Sequence, residues 1–163
     1  MEERSELIEL HKRLSKTLDE EREAAKEKRH EKGYLTAREN LENLVDEGSF
    51  VEYGQLAIAA QKSRRKLDEL RTETAADGII TGFGKINSKI LDSKKALSAI
   101  IINDYSVLAG TQGYYHHKKL DRICETAEKQ NLPVIMYTEG GGGRPGDTDV
   151  QVQFAGLQIP SFS

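Results

Sequence analysis

Two stretches decide the fold: 76-ADGIITGFGKIN-87 and 96-ALSAIIINDYSVLAG-110. Both are rich in Ile, bounded by Gly, Asn and Asp, and separated only by the polar 88-SKILDSKK-95, so paired β-strands are expected. Downstream, 111-TQGYYHHKKLDRICETAEKQN-131 places Leu120, Ile123, Cys124 and Ala127 on one helical face, with Pro133 just past its end. The apolar run 133-PVIMYT-138 then predicts a strand buried on both sides. From Gly78 the order is strand, strand, helix, strand, and then a glycine-rich loop, 137-YTEGGGGRPGDTD-149, which is an α/β pattern.

Upstream the character changes. Leu7, Leu10, Leu14 and Leu18 recur at helical spacing among Glu, Lys and Arg, which predicts a long charged helix whose narrow apolar stripe packs on a partner surface. In 36-TARENLENLVDEG-48, Thr36 and Glu39 match a capping box, Leu41, Leu44 and Val45 form the apolar face, and Gly48 suits the stop. A short strand is expected at 50-FVEYG-54, followed by a helical or mobile excursion over residues 55–75. The division expected is helices over residues 1–48 and a second, incomplete unit over residues 49–163. The closing 150-VQVQFAGLQIPSFS-163 starts with alternation at Val150, Val152 and Phe154 and reads as a chain cut short.

At 163 residues the chain is long enough for one core, and 31% charged residues point to a soluble protein. A net charge of -3 gives no electrostatic case for nucleic acid. The basic cluster 62-KSRRK-66 lies among Asp68, Glu69 and Glu73 and reads as a solvated helix face, with a local contact to ligand phosphates as the alternative. One cysteine, Cys124, closes no internal disulfide and fits a reducing compartment, and on its helical face it reads as a small core residue. The polar N-terminus is unlike a signal peptide, and no apolar run approaches membrane-spanning length. A cytoplasmic protein without a membrane partner is the expectation.

The loop at 140-GGGGR-144 admits two readings, a flexible linker or a backbone shaped to grip a ligand. It follows a strand's carboxyl end, where α/β proteins usually bind ligands, and glycines let peptide N–H groups approach without side-chain obstruction. It is neither a Walker loop nor a Rossmann fingerprint, because no Gly-Lys-Ser or Gly-Lys-Thr follows and the glycine spacing is wrong. His116 and His117 are adjacent, so on a helix they point about 100° apart and do not share a metal. No Cys/His cluster suggests zinc, and no metal is expected.

Four blocks in order resemble the carboxyltransferase subunits of biotin-dependent acyl-CoA carboxylases, of the acetyl-CoA and propionyl-CoA type, and the related acyl-CoA decarboxylases. They are 32-KGYLTARENLENLVDEGSFVEY-53, 76-ADGIITGFGKIN-87, 103-NDYSVLAGTQGYYHHKKL-120 and Gly140 to Arg144, the last standing where the family has Ser-Gly-Gly-Ala-Arg. Asp104, Gly110, Gly113, His116 and Lys119 fall on familiar positions. Asn40 departs from a usual arginine, Ala109 from a usual glycine, and Pro145-Gly146-Asp147 is unusual.

The resemblance implies a partial crotonase-like fold of strand-strand-helix units, and transfer of a carboxyl group from carboxybiotin, a co-substrate on a carrier protein, to the α-carbon of an acyl-CoA. It implies backbone donors for the enolate at Gly141, Gly142 and Gly143. Gly140, Arg144, Gly110, Thr111 and Gly113 then line the acyl-CoA pocket, with Arg144 holding either CoA phosphates or the loop itself. Implied partners are biotin carboxyl carrier and biotin carboxylase components and further copies of the chain. Family members also carry a second glycine loop and a second domain, so this chain is expected to be inactive alone; a non-catalytic assembly module and a decarboxylase relative are the alternatives.

Overall fold

A computed structural model describes residues 4–92 and 94–150. In chain order its elements are α1 (Ser5–Ser15), α2 (Glu23–His30), α3 (Ala37–Leu44), β1 (Val51–Tyr53), α4 (Leu67–Glu73), β2 (Ile79–Lys85), β3 (Leu97–Asn103), α5 (Tyr114–Gln130) and β4 (Val134–Tyr137), with a 3-10 turn at Asp19–Glu21 and turns carrying left-handed residues at Ala75–Gly78 and Leu108–Gly110.

The strands form one sheet in the order β1-β2-β3-β4. β1 and β3 run antiparallel to β2, whereas β4 lies parallel to β3, the connection running through α5. The register pairs Ile80 with Ile102 and Gly82 with Ile100, and alternation then assigns the two faces. Ile79, Ala99 and Ile101 pack with Leu120, Ile123 and Ala127 of α5. Ile80, Ile100 and Ile102 pack with Ala37 and Leu41 of α3. An isoleucine run without alternation is thus what β3 requires, because helices cover both of its faces.

α3 begins with the expected capping box: Glu39 N–H donates to Thr36 Oγ1 (3.0 Å) and Thr36 N–H to Glu39 Oε2 (2.8 Å). α5 ends at Asn131 in the left-handed conformation (φ 53°), just before Pro133.

Three expectations need correction. β4 is the edge strand of this sheet, with Val134 and Tyr137 exposed at 41% and 40%, because an apolar run alone does not distinguish an edge from a centre. The long N-terminal helix is broken. Thr17 is buried at the break, where its hydroxyl donates to Leu14 O and its own carbonyl and hydroxyl accept from Arg38 Nε and Gln55 Nε2. Leu14 and Leu18 therefore turn partly inward while Leu7 and Leu10 stay exposed. The basic cluster sits in turns ahead of α4 rather than on a helix, and its Arg65 pairs with Glu69 and Glu73. The excursion over residues 55–75 belongs to the folded body, with Ala59, Ala60 and Leu70 buried. Apart from Val150, the closing alternation lies outside the described residues.

Candidate active site

Because β3 and β4 are parallel, both finish on the same side of the sheet, and the segments that follow them meet there. Gln112 N–H donates to Gly142 O (2.8 Å) and Arg144 N–H to Gln112 O (2.8 Å), a short parallel bridge. Gly110 and Gly140 touch closely enough to exclude any side chain. A Cβ on Gly110, whose φ is +65°, would lie 2.5 Å from Glu139 O, and one on Gly140 would run into Gly110 O. Both predicted pocket glycines thus have a packing requirement.

Arg144 turns inward. Its Nη1 donates to Asp77 Oδ1, its Nη2 to Thr111 O (2.7 Å) and its Nε to Thr111 Oγ1 (3.3 Å). Asp147 Oδ1 stands 3.6 Å from Nη1. The two carboxylates also close the first turn of α5: Tyr114 N–H donates to Asp147 Oδ2 (2.7 Å) and His116 N–H to Asp77 Oδ2 (2.8 Å). Gly113, the N-cap of α5, lies against this cluster, where a Cβ would collide with Arg144 and Asp147. Asp77 is fully buried, and burial raises its pKa against the opposing attraction of Arg144. Of the two roles expected for Arg144, holding the loop is the one this geometry fits. The cost of burying the guanidinium is met by charge and by hydrogen bonds.

Asp77 itself sits in a left-handed turn, with Ala76, Asp77 and Gly78 at φ 52°, 50° and 74°. Lys119 Nζ fastens that turn by donating to Ala76 O (2.8 Å) and to Ile79 O. Burial pushes the Lys119 ammonium down to about 8. His116 is wholly buried, and burial takes its imidazole down to about 3, so the ring is neutral near pH 7. The ring is enclosed within the protein, as a packed side chain is. Burial also raises the pKa of Cys124, consistent with a core thiol.

The far end of the loop is tied to the turns after β1. Gln61 Nε2 donates to Asp147 Oδ1 (3.0 Å), and Asp149 accepts from the Lys62 and Ser63 N–H groups (2.6 and 2.7 Å). Between these ties, Gly141, Gly142 and Gly143 are exposed, and among the described residues none of their N–H groups donates to a protein acceptor. The loop is therefore fixed at its flanks and open at three consecutive amides, an arrangement able to receive an anionic oxygen. Sequence reading missed Asp77, Asp147 and Gln61. The one local signal was the pair of acids following the glycines, whose partners lie far away in the chain.

The carboxyl transferase domain family matches residues 28–157. The chain is 37% identical over 138 residues to the biotin-dependent acetyl-/propionyl-coenzyme A carboxylase beta5 subunit of Mycobacterium tuberculosis, covering 85% of this chain and 23% of that subunit. It is 30% identical over 136 residues to the methylmalonyl-CoA decarboxylase subunit alpha of Veillonella parvula, covering 83% and 25% respectively. Among solved structures, a single-chain, multi-domain long-chain acyl-CoA carboxylase superposes with a TM-score of 0.86 at 49% identity, over 90% of this chain and 15% of that one. The chain thus spans about a quarter of the length of these curated relatives. Its strand-strand-helix arrangement is part of the crotonase-like fold of such domains. With a match over residues 28–157, a span that includes the glycine loop, the chain belongs to the carboxyl transferase domain family.

Proposed function

We propose that this chain supplies part of the acyl-CoA site of a biotin-dependent carboxyltransferase, with the thioester oxygen received by backbone amides of Gly141 to Gly143. The supporting observation is that these amides are exposed and uncommitted on a loop whose flanks are fixed. In the reaction, the α-carbon of the acyl-CoA loses a proton and the electron pair passes to the thioester oxygen, giving an enolate. That carbon then bonds to the carboxyl group as the group's bond to N1 of carboxybiotin, the co-substrate delivered by a carrier protein, breaks, and the freed N1 ends with the proton that the α-carbon lost. Charge develops on oxygen, so N–H donors held in place beforehand lower the barrier; loss of one typically costs about 3 kcal/mol. No side-chain nucleophile is needed, which suits a site built from glycines.

Carriage of the co-substrate, assembly with a biotin carboxylase component and association with further copies of the chain belong to the same proposal. Turnover is proposed only for a protein that carries the rest of the domain, since this chain matches 23% of the mycobacterial subunit. A second reading, decarboxylation of an acyl-CoA, is favoured by the likeness to the methylmalonyl-CoA decarboxylase subunit and uses the same enolate. Calorimetric titration of the purified chain with acetyl-CoA, propionyl-CoA and a long-chain acyl-CoA tests the shared half-site. Binding of at least one supports it. Absence of binding to all three favours a non-catalytic assembly module, for which the exposed Leu7, Ile8 and Leu10 offer a surface.

A further inference from the structure

The N-terminal helices contribute none of the loop glycines, yet two arginines at the ends of α2 reach the segments that follow β3 and β4. Arg22, the residue that caps the start of α2, and Arg29, in its last turn, stand at the two ends of that helix. Arg22 Nη1 donates to Asp104 Oδ2 (2.7 Å) and Nη2 to Ser106 Oγ (2.9 Å), just past the end of β3. Arg29 grips Glu139, two residues past the end of β4, with both fork nitrogens: Nη1 to Oε1 at 2.7 Å and Nη2 to Oε2 at 2.8 Å. The two ends of one helix therefore hold the ends of two neighbouring parallel strands.

Arg29 has little freedom to do anything else. Its Nε and Nη2 also donate to Leu35 O (3.2 and 3.1 Å), and its guanidinium lies 5.0 Å from the Tyr34 ring centre and 5.7 Å from that of Tyr105. Tyr105 belongs to the same turn that Arg22 holds. Glu139 directly precedes Gly140, and its carbonyl is the wall that leaves Gly110 no room for a side chain. The Arg29 fork thus fixes the residue from which the open glycines extend, while Arg144 fixes the residue at which they end.

We propose that Arg29 and Glu139 form a positioning pair for the glycine loop, making the N-terminal helical segment a working part of the acyl-CoA site. The inference rests on the acyl-CoA reading of Gly141 to Gly143 for its functional meaning, and on geometry alone for its effect on the loop. Neither residue touches the reacting atoms; both act through the backbone of Gly140. A fork is required rather than a charge alone, because two parallel bonds set the direction of the carboxylate as well as its distance.

The test is nitrogen-15 relaxation of the Gly140 to Gly143 amides, together with calorimetric titration of propionyl-CoA, in the wild type, Arg29→Met, Arg29→Lys and Glu139→Gln. Arg29→Met is expected to make the glycine amides mobile on the nanosecond scale and to weaken propionyl-CoA binding about tenfold. Arg29→Lys, which restores charge without the fork, is expected to recover only part of both. Should Arg29→Met fail to fold, Glu139→Gln carries the test, since it leaves the other contacts of Arg29 in place. A fall in melting temperature with loop relaxation and affinity unchanged would overturn the proposal and leave the pair a plain structural tie. If the wild type binds no propionyl-CoA while the variants still loosen the glycines, positioning stands and the acyl-CoA reading falls.

Discussion

The guanidinium of Arg144 donates to the carboxylate of Asp77, 67 residues earlier in the chain, and both side chains are almost sealed from solvent, at 4% and 0% exposure. This pair joins the glycine loop to the turn that opens β2 and, through Asp77, to the first turn of α5. Removing one partner leaves the other charge buried alone, so Arg144→Met is expected to destabilise the protein by about 3–5 kcal/mol. Urea unfolding measures this. The double variant Asp77→Leu/Arg144→Met should lose clearly less than the sum of the single changes, and additivity would contradict a coupled pair.

Glycines in the loop differ in what they tolerate. Gly140→Ala drives a methyl group into Gly110 O and is expected to cost about 1–3 kcal/mol through forced backbone shifts. Gly143→Ala meets nothing within 4 Å and should stay within about 0.5 kcal/mol of the wild type. Thermal melts of the two variants, run side by side, check the contrast.

Ala109 holds φ at 56° in the turn after β3, a left-handed conformation that disfavours a Cβ. Glycine, the residue more usual here in the resembling family, removes that strain. Ala109→Gly is expected to stabilise the fold by up to about 1 kcal/mol, offset in part by the greater freedom of glycine in the unfolded chain. An increase in melting temperature bears this out; a decrease contradicts the assigned backbone.

Acid should weaken the fold through His116. Its folded pKa lies near 3, below the ordinary 6.5, so between those values the unfolded chain binds a proton that the folded chain refuses. The stability is fully present above pH 6.5 and is lost as pH falls towards 3. From pH 6.5 to 5 the loss is about 2 kcal/mol from this group. Asp77, whose pKa is raised by burial, works in the opposite sense. Comparing the unfolding free energy of the wild type with that of His116→Gln at pH 7 and pH 5 isolates the histidine, whose removal should flatten the slope.

Local patterns made much of the fold legible. The isoleucine runs gave β2 and β3, the 3.6-residue period of Leu120, Ile123 and Ala127 gave the buried face of α5, and Thr36 with Glu39 gave the start of α3. What failed depended on distant partners. Nothing near Val134 says that β4 lies at an edge, and nothing in the leucine stripe says that Thr17 will be buried against Gln55 and Arg38. The site divided in the same way. Glycines announced an open backbone through composition, whereas the inward turn of Arg144 is set by Asp77, and the grip on Glu139 by Arg29, 110 residues away. An arginine beside glycines reads equally well as a phosphate ligand until its partner is known.

The most direct test of the central claim is a proton–nitrogen correlation spectrum of the chain during titration with propionyl-CoA. The amides of Gly141, Gly142 and Gly143 are expected to shift progressively and saturably, at least one of them downfield as it takes up a hydrogen bond to the thioester oxygen. Saturable binding that leaves all three of these amides unmoved would contradict the account.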